Sequence, residues 1–82
     1  MQDVTLPLNE YFRANVRHWR TFRGLTQLQL ADRLGITQPS VAAIEAGKGA
    51  PSLETVARLA EALQVPAANL LLPPEENLVE TT

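Results

Sequence analysis

The side chains best suited to recognising another molecule lie within residues 27–45, which read QLQLADRLGITQPSVAAIE. Gln38 carries a carboxamide, and a carboxamide can pair with adenine through two hydrogen bonds in the major groove of DNA. Ser40 carries a hydroxyl that could bind a phosphate or, equally, its own backbone at the start of a helix. The chemistry of this segment is therefore that of binding.

Groups for enzymatic or metal chemistry are missing from the sequence. The chain has no cysteine, which excludes disulfides and thiolate metal sites. His18 is the single histidine and has no carboxylate neighbours in register, and there is no glycine-rich phosphate loop. The carboxylates are scattered without a spacing that brings two onto one face. We therefore expect no enzymatic activity, no metal and no cofactor.

Two short helical patterns, separated by a turn at residues 34–37, must position the binding groups. Thr26 and Gln29 form a capping box for the first helix, Gly35 lies at the bend, and Thr37 can cap the second helix. Small or apolar residues occupy the positions where two crossing helices touch: Ala31, Leu34, Ile36, Val41 and Ile44. This spacing predicts a helix-turn-helix, whose first helix braces the second as it projects towards a DNA major groove.

Three further helices are predicted around this pair. Ser52 can cap a fourth helix with an apolar stripe over residues 53–63, and Pro66 begins a short fifth helix that Pro73 ends. Residues 8–23 predict the first helix, because apolar side chains recur on one face: Phe12, Val16 and Trp19.

The length of 82 residues predicts a single domain. We expect a flexible N-terminal arm at residues 1–7, the folded domain at 8–72, and a mobile acidic C-terminal tail at 73–82. No apolar run approaches the ~20 residues that cross a bilayer, and the N-terminus lacks the pattern of a secretory signal. We therefore expect no membrane partner and a cytoplasmic location.

The net charge of −2 hides a strong asymmetry. Residues 13–48 carry six basic and two acidic side chains, a net charge of +4, whereas residues 49–82 carry −4. A polyanion responds to a local basic patch more than to the total charge. The basic segment also contains the predicted helix-turn-helix, which favours a nucleic-acid partner. For Arg13 and Arg58 we favour the plainer interpretation of a solvated helix face.

Six short motifs run through residues 16–71: VRxWR, GLTQ, LAxxLGI, QPSVxxIExG, PSLET and LxV, at residues 16–20, 24–27, 30–36, 38–47, 51–55 and 63–65. Through these motifs the chain resembles the phage-repressor/Cro-like helix-turn-helix family, often called the XRE family. The resemblance implies an all-α, compact, five-helix lambda-repressor-like domain with the helix-turn-helix at helices 2 and 3. It also implies sequence-specific binding to double-stranded DNA by a transcriptional regulator, and we expect a repressor.

The resemblance also implies roles for individual residues. The pair Arg20 and Glu45 is expected to form a structural ion pair between the first and third helices. The expected base contacts are Gln38, Pro39 and Ala43, the last against a thymine methyl. The expected phosphate contacts are Thr26, Gln27, Ser40, Arg17, Arg23 and Lys48.

We expect a symmetric homodimer, because one helix reads too few bases for useful selectivity. The candidate dimer contacts are three consecutive apolar residues near the end of the predicted domain: Leu70, Leu71 and Leu72. Two alternatives stay open. The chain could be an antitoxin with a toxin partner, or a restriction–modification controller, of the same fold. It could also be a protein-interaction module that has lost DNA contact, because the outward face of helix 3 is largely alanine.

Overall fold

The structure, a computed structural model, describes residues 7–79, with residues 78 and 79 described for their backbone alone. Over that range the chain is helical and contains no strand. Four α-helices are followed by two 3-10 helices. In chain order they are α1 (Leu8–Phe22), α2 (Gln27–Leu34), α3 (Gln38–Glu45), α4 (Leu53–Leu63), the first 3-10 helix (Ala67–Leu70) and the second 3-10 helix (Pro74–Val79).

Side-chain caps begin three of these helices, as the sequence predicted. The Thr26 hydroxyl accepts from the Gln29 amide at 3.0 Å, and the Gln29 carboxamide oxygen accepts from the Thr26 amide at 2.8 Å. Thr37 accepts from the Ser40 amide at the start of α3, and Ser52 caps α4 in the same way. These bonds satisfy amides that have no partner within a helix, so the local sequence fixes where each helix begins.

A single hydrophobic core joins the four α-helices and the first 3-10 helix. The apolar stripe of α1 lies in it as predicted, since Phe12, Val16 and Trp19 are all buried. α2 packs against both α3 and α4, so the second and third helices form one braced pair. The fully buried side chains that hold this arrangement are Trp19, Leu30, Leu59, Leu63, Leu70, Val16 and Val41. The predicted all-α class with a helix-turn-helix at α2 and α3 is confirmed.

The predicted fifth α-helix is wrong in type. Residues 67–70 form one 3-10 helix of four residues, and the Leu71 amide bonds the Ala68 carbonyl three residues back. The segment lies between Pro66 and Pro73, and a proline disfavours the helical conformation in the residue before it. The remaining stretch is too short to reward α-helix nucleation. Tertiary packing holds it instead, because Leu70 is 0% exposed.

The packed part of the chain continues past the predicted domain boundary at residue 72. The second 3-10 helix contacts α1, and Asn77 is only 3% exposed. The Asn77 amide donates to the Asn15 side-chain oxygen at 2.6 Å and to the Asn69 carbonyl at 3.1 Å. Asn15 in turn donates to the Leu72 carbonyl at 2.7 Å. Of the predicted N-terminal arm and acidic tail, residues 1–6 and 80–82 lie outside the described residues.

Candidate nucleic-acid interface

The turn between α2 and α3 sets the direction in which α3 projects. Gly35 ends α2 in the left-handed conformation, with φ of 71°, and Thr37 then caps α3. Ala31, Leu34 and Val41 are buried where the two helices meet. The opposite side of α3 carries the groups that face outward, including the exposed Pro39, Ser40 and Ala46 and the half-buried Ala42 and Ala43. α3 is thus braced along one side and open along the other.

Arg20 and Glu45 lie in contact, joining α1 to the last turn of α3. The Arg20 Nε donates to Glu45 Oε2 at 2.6 Å and a terminal nitrogen donates to Oε1 at 3.1 Å. The side chains are 12% and 5% exposed, so the pair is largely shielded from water. Arg20 also donates to the Leu25 carbonyl at 2.8 Å, in the loop before α2. One guanidinium therefore ties together α1, the α1–α2 loop and α3.

The ion pair continues into a chain of side-chain hydrogen bonds that ends at Gln38. The Gln27 Nε2 donates to Glu45 Oε1 at 3.0 Å, and the Gln38 Nε2 donates to Gln27 Oε1 at 2.6 Å. We call Arg20, Glu45, Gln27 and Gln38 the α3 network. The resemblance predicted the pairing of Arg20 with Glu45, but Gln27 and Gln38 were predicted as separate contacts with DNA. Their connection is a tertiary feature, because it joins positions on three different helices.

The donor and acceptor directions in the α3 network follow from Glu45. A carboxylate only accepts, so the Gln27 group facing it must be the NH2 group. The Gln27 oxygen then faces Gln38, which must donate to it. This leaves Gln38 with its second N–H and its carboxamide oxygen unused among the described residues. The first turn of α3 therefore presents one donor and one acceptor on a side chain held in place by Gln27.

Arg23, a predicted phosphate contact, is engaged elsewhere. Its Nε donates to the Leu63 carbonyl at 2.8 Å and a terminal nitrogen donates to the Gln64 carbonyl at 2.9 Å, at the C-terminal end of α4. Its guanidinium also lies over the rings of Trp19 and Phe22, 5.4 and 5.3 Å from their centroids. Arg23 thus joins α1 to the end of α4. Helical spacing could not reveal acceptors that lie forty residues away in the chain.

Two more arginines bind carbonyls between α2 and α4. Arg33 on α2 donates to the Ala62 carbonyl at 3.2 Å, and Arg58 on α4 donates to the Leu34 carbonyl at the end of α2. Cations at these positions also complement the negative ends of the helices. Arg58 is exposed, as predicted, and in addition makes a tertiary contact with α2.

The remaining predicted site residues fall into different environments. The hydroxyls of Thr26 and Ser40 already bond within their own helix starts. The side chains of Arg17 and Lys48 are exposed and make no hydrogen bond or ion pair with any residue that the structure describes. Of the candidate dimer contacts, Leu70 is fully buried in the core of its own chain, whereas Leu71 and Leu72 are half-buried.

Residues 7–79 form neither a metal-binding cluster nor a helix that spans a membrane. No group of three or more histidine, cysteine or carboxylate side chains there could hold a metal ion. Among the described helices, none is both long enough and apolar enough to cross a membrane.

The capped α2–α3 pair, its braced inner side and its open outer side define a helix-turn-helix domain. The helix-turn-helix family model HTH_3 matches residues 16–70, and the chain belongs to this family. The family includes proteins described as transcriptional regulators, as the named relatives below indicate.

Two curated relatives carry regulatory names. The chain is 38% identical over 64 residues to a hypothetical transcription factor of Neisseria meningitidis, covering 78% of this chain and 60% of the relative. It is 36% identical over 69 residues to the cryptic phage CTXphi transcriptional repressor RstR of Vibrio cholerae, covering 84% and 62%. The chain therefore spans about three fifths of the length of these relatives.

Two solved structures share the fold. The crystal structure of the hypothetical transcription factor NHTF from Neisseria superposes with a TM-score of 0.80 at 33% identity, covering 95% of this chain and 94% of that chain. The restriction–modification controller protein C.AhdI from Aeromonas hydrophila superposes with a TM-score of 0.70 at 32% identity, covering 76% and 94%. Each likeness covers at least three quarters of this chain.

Proposed function

We propose that this chain binds double-stranded DNA as a transcriptional regulator acting as a repressor, with α3 in the major groove. The repressor direction is supported by the likeness to RstR. The groove geometry is supported by the open outer side of α3 and by the dimensions of the major groove, which admits one α-helix. We place the protein in the cytoplasm, where bacterial and phage DNA is found.

One observation carries the proposal: the α3 network leaves Gln38 with one free donor and one free acceptor. Adenine presents one acceptor and one donor in the major groove, which is the complement of that pair. Gln27 restricts the rotation of the Gln38 carboxamide, so less entropy is lost when the base is bound. Gln38 is thereby the base-reading residue, and Gln27 and Glu45 position it.

The rest of α3 offers little hydrogen bonding to bases. Pro39, Ala42, Ala43 and Ala46 lack side-chain donors and acceptors, although Pro39 and Ala43 can contact a thymine methyl. Specificity beyond Gln38 then depends on apolar contact, DNA shape and the spacing of two half-sites. Affinity depends on contacts with the DNA phosphates. Arg17 and Lys48 can bind phosphates through their positive charge. At the starts of α2 and α3, the backbone amides and side chains of Thr26, Gln27 and Ser40 can bind phosphates by hydrogen bonds.

The test compares Gln38→Ala with the wild type on a preferred duplex and on random duplexes. We expect Gln38→Ala to lose about 1–3 kcal/mol of discrimination at one base step and to keep its binding to random DNA. Gln64→Gly is a matched control, because it removes a carboxamide at a left-handed position that glycine tolerates, with φ of 61°. An equal loss of affinity on all duplexes in Gln38→Ala would contradict the base-reading role. If Gln64→Gly lost as much discrimination as Gln38→Ala, the placement of base reading at Gln38 would be contradicted.

The proposal includes a two-fold dimer that sets the α3 helices of two copies about 34–36 Å apart along DNA. Leu71 and Leu72 are the candidate dimer contacts, because Leu70 is buried in the core of its own chain. Leu71 also packs against the core, whereas Leu72 is not part of that packing, which makes Leu72 the better probe. Leu72→Glu should convert a dimer to a monomer in light scattering, and an unchanged mass would place the interface elsewhere.

A restriction–modification controller is the second candidate, supported by the likeness to C.AhdI. Selection of bound fragments from the source genome distinguishes the two proposals. Enrichment of sites beside restriction and methyltransferase genes favours the controller, whereas enrichment at other promoters favours a repressor. Co-purification with a small basic protein would instead favour an antitoxin, and binding that does not respond to salt would favour a protein-interaction module.

A further inference from the structure

The seven basic residues of the chain divide into two groups by what they contact. Four donate hydrogen bonds within the molecule: Arg20, Arg23, Arg33 and Arg58. In the other three, the side chain is exposed and makes no hydrogen bond or ion pair within residues 7–79: Arg13, Arg17 and Lys48. The side chains of this second group have all their donors available, among the described residues, for a phosphate. Arg13, which the sequence analysis assigned to a solvated face, belongs to it.

Arg13 lies against the backbone just after α3. A Cβ atom built on Gly47 would lie 2.6 Å from Arg13 Cδ, closer than a real Cβ atom approaches, and 3.2 Å from its Nε, a tight contact. The arginine stem therefore crosses the space that a side chain at residue 47 would fill. Gly47 also has a φ of 78°, a conformation that favours glycine. Arg13 from α1 thus lies against the backbone that follows the C-terminal end of α3.

A purely structural role for Arg13 would be to bind the last carbonyls of α3. Those carbonyls are already used by the backbone: Ala43 accepts from the Lys48 amide at 3.1 Å and Ile44 from the Gly47 amide at 3.0 Å. Arg13 donates to neither of them. Glu10, three residues earlier on α1, is exposed and forms no ion pair with it. Among the described residues, the guanidinium thus keeps its full set of donors for an outside ligand.

We propose that the Arg13 side chain, which extends from α1 to the C-terminal end of α3, binds a phosphate of the DNA backbone. Arg17 lies one helical turn further along α1 on the same face, and Lys48 follows Gly47 directly. We call Arg13, Arg17 and Lys48 the basic strip. In the proposal, these three side chains contact the DNA backbone beside the recognition helix. This contact rests on the proposed DNA binding and extends its footprint from α3 to α1.

The packing on Gly47 gives Arg13 an advantage over an ordinary surface arginine. A stem that already lies along the backbone has fewer conformations to lose when the guanidinium binds a phosphate. The contribution matters more here because the outer side of α3 offers few hydrogen bonds to bases. Arg13 is expected to add affinity for any duplex without adding sequence preference.

The experiment measures the salt dependence of binding for Arg13→Gln on a preferred duplex and on a random duplex. Glutamine removes the charge and keeps most of the stem that packs on Gly47. The log–log slope of affinity against salt should become shallower by about 0.9 for each bound chain, because one fewer phosphate is neutralised. Affinity should fall by the same factor on both duplexes, and Arg13→Lys should keep the wild-type slope.

Ala57→Glu is the matched control, because it lowers the net charge by one at an exposed position on α4. It should leave the slope unchanged, and thermal unfolding should show that each variant is folded. A wild-type slope in Arg13→Gln would overturn the Arg13 contact alone. A flat salt response in the wild-type chain would overturn DNA binding and, with it, this contact. A change in slope from Ala57→Glu as large as that from Arg13→Gln would also overturn it, since total charge would then explain the effect.

Discussion

Two polar networks in this small domain use similar side chains for different purposes. The α3 network ends at Gln38, on the outside of the molecule, with a donor and an acceptor left over. The second network joins Asn15 on α1 to Asn77 near the C-terminus, and both residues are buried. The first ends at a partly exposed side chain and can extend to a ligand. The second is closed off in the interior, where its remaining acceptor, Asn77 Oδ1, has no partner among the described residues. The difference shows that unused capacity at an end open to solvent, rather than polarity or unused capacity itself, marks the recognition side.

The largest effect on stability should come from breaking the ion pair between Arg20 and Glu45, the shielded part of the α3 network. Glu45→Ala leaves the Arg20 guanidinium shielded from water without its partner, and removing one member of a buried pair costs about 3–5 kcal/mol. We expect a loss of free energy of unfolding at the lower end of that range, because Arg20 keeps its bond to the Leu25 carbonyl. Denaturant unfolding measures it.

The same substitution also frees Gln27 and Gln38, so the folded fraction of Glu45→Ala should read bases less selectively than the wild type. Asp32→Ala serves as a control, because it removes an exposed carboxylate from the neighbouring helix. Glu45→Ala with wild-type stability and wild-type selectivity would show that the pair does not hold α3.

The closed network should affect stability alone. Asn77→Ala removes the donor to Asn15 Oδ1 and to the Asn69 carbonyl, and buried groups left without partners cost about 1–3 kcal/mol. We expect unfolding at lower denaturant with DNA affinity unchanged while the protein is folded. Glu76→Ala, at the exposed neighbouring position, should change stability by no more than about 0.5 kcal/mol. Altered DNA selectivity in Asn77→Ala would remove the distinction between the two networks.

The smallest effect on stability should come from replacing Arg23. The resemblance predicted that Arg23 binds a phosphate, whereas in the structure it donates hydrogen bonds to carbonyls at the end of α4. Arg23→Ala should reduce the free energy of unfolding by on the order of 1 kcal/mol, because its hydrogen bonds are only partly shielded from water. The salt dependence of DNA binding should not change. Arg17→Ala provides the contrast, since it should make the slope shallower without a loss of stability. A shallower slope in Arg23→Ala would restore it as a phosphate contact.

The parts of the fold that sequence could predict are those that depend on neighbours in the chain. Thr26 with Gln29, Thr37 and Ser52 mark helix starts because their bonds reach only three residues. The stripes of α1 and α4 follow from helical periodicity. The type of the fifth helix was predicted wrongly. The segment between the two prolines is so short that tertiary packing, and not local sequence, determines whether it is a 3-10 helix or an α-helix.

The parts of the site that sequence could not predict are contacts between distant residues. Gln27 and Gln38 were identified as separate contacts, but their hydrogen bond depends on the angle between α2 and α3. The carbonyl partners of Arg23 and the position of Arg13 on Gly47 depend on how α1 lies across the rest of the molecule. Charge counting located the basic half of the chain but could not tell which of its cations lack a partner among the described residues.

The most direct test of the central claim is an NMR titration of the isotope-labelled chain with a DNA duplex. We expect changes in amide chemical shift to be concentrated at the starts of α2 and α3, along the outer side of α3 and at the basic strip. The amide resonances of residues 69–77 should shift little, apart from those of residues that contact a second copy of the chain. Shifts concentrated at residues 69–77 or on α4, with the first turn of α3 unmoved, would contradict it.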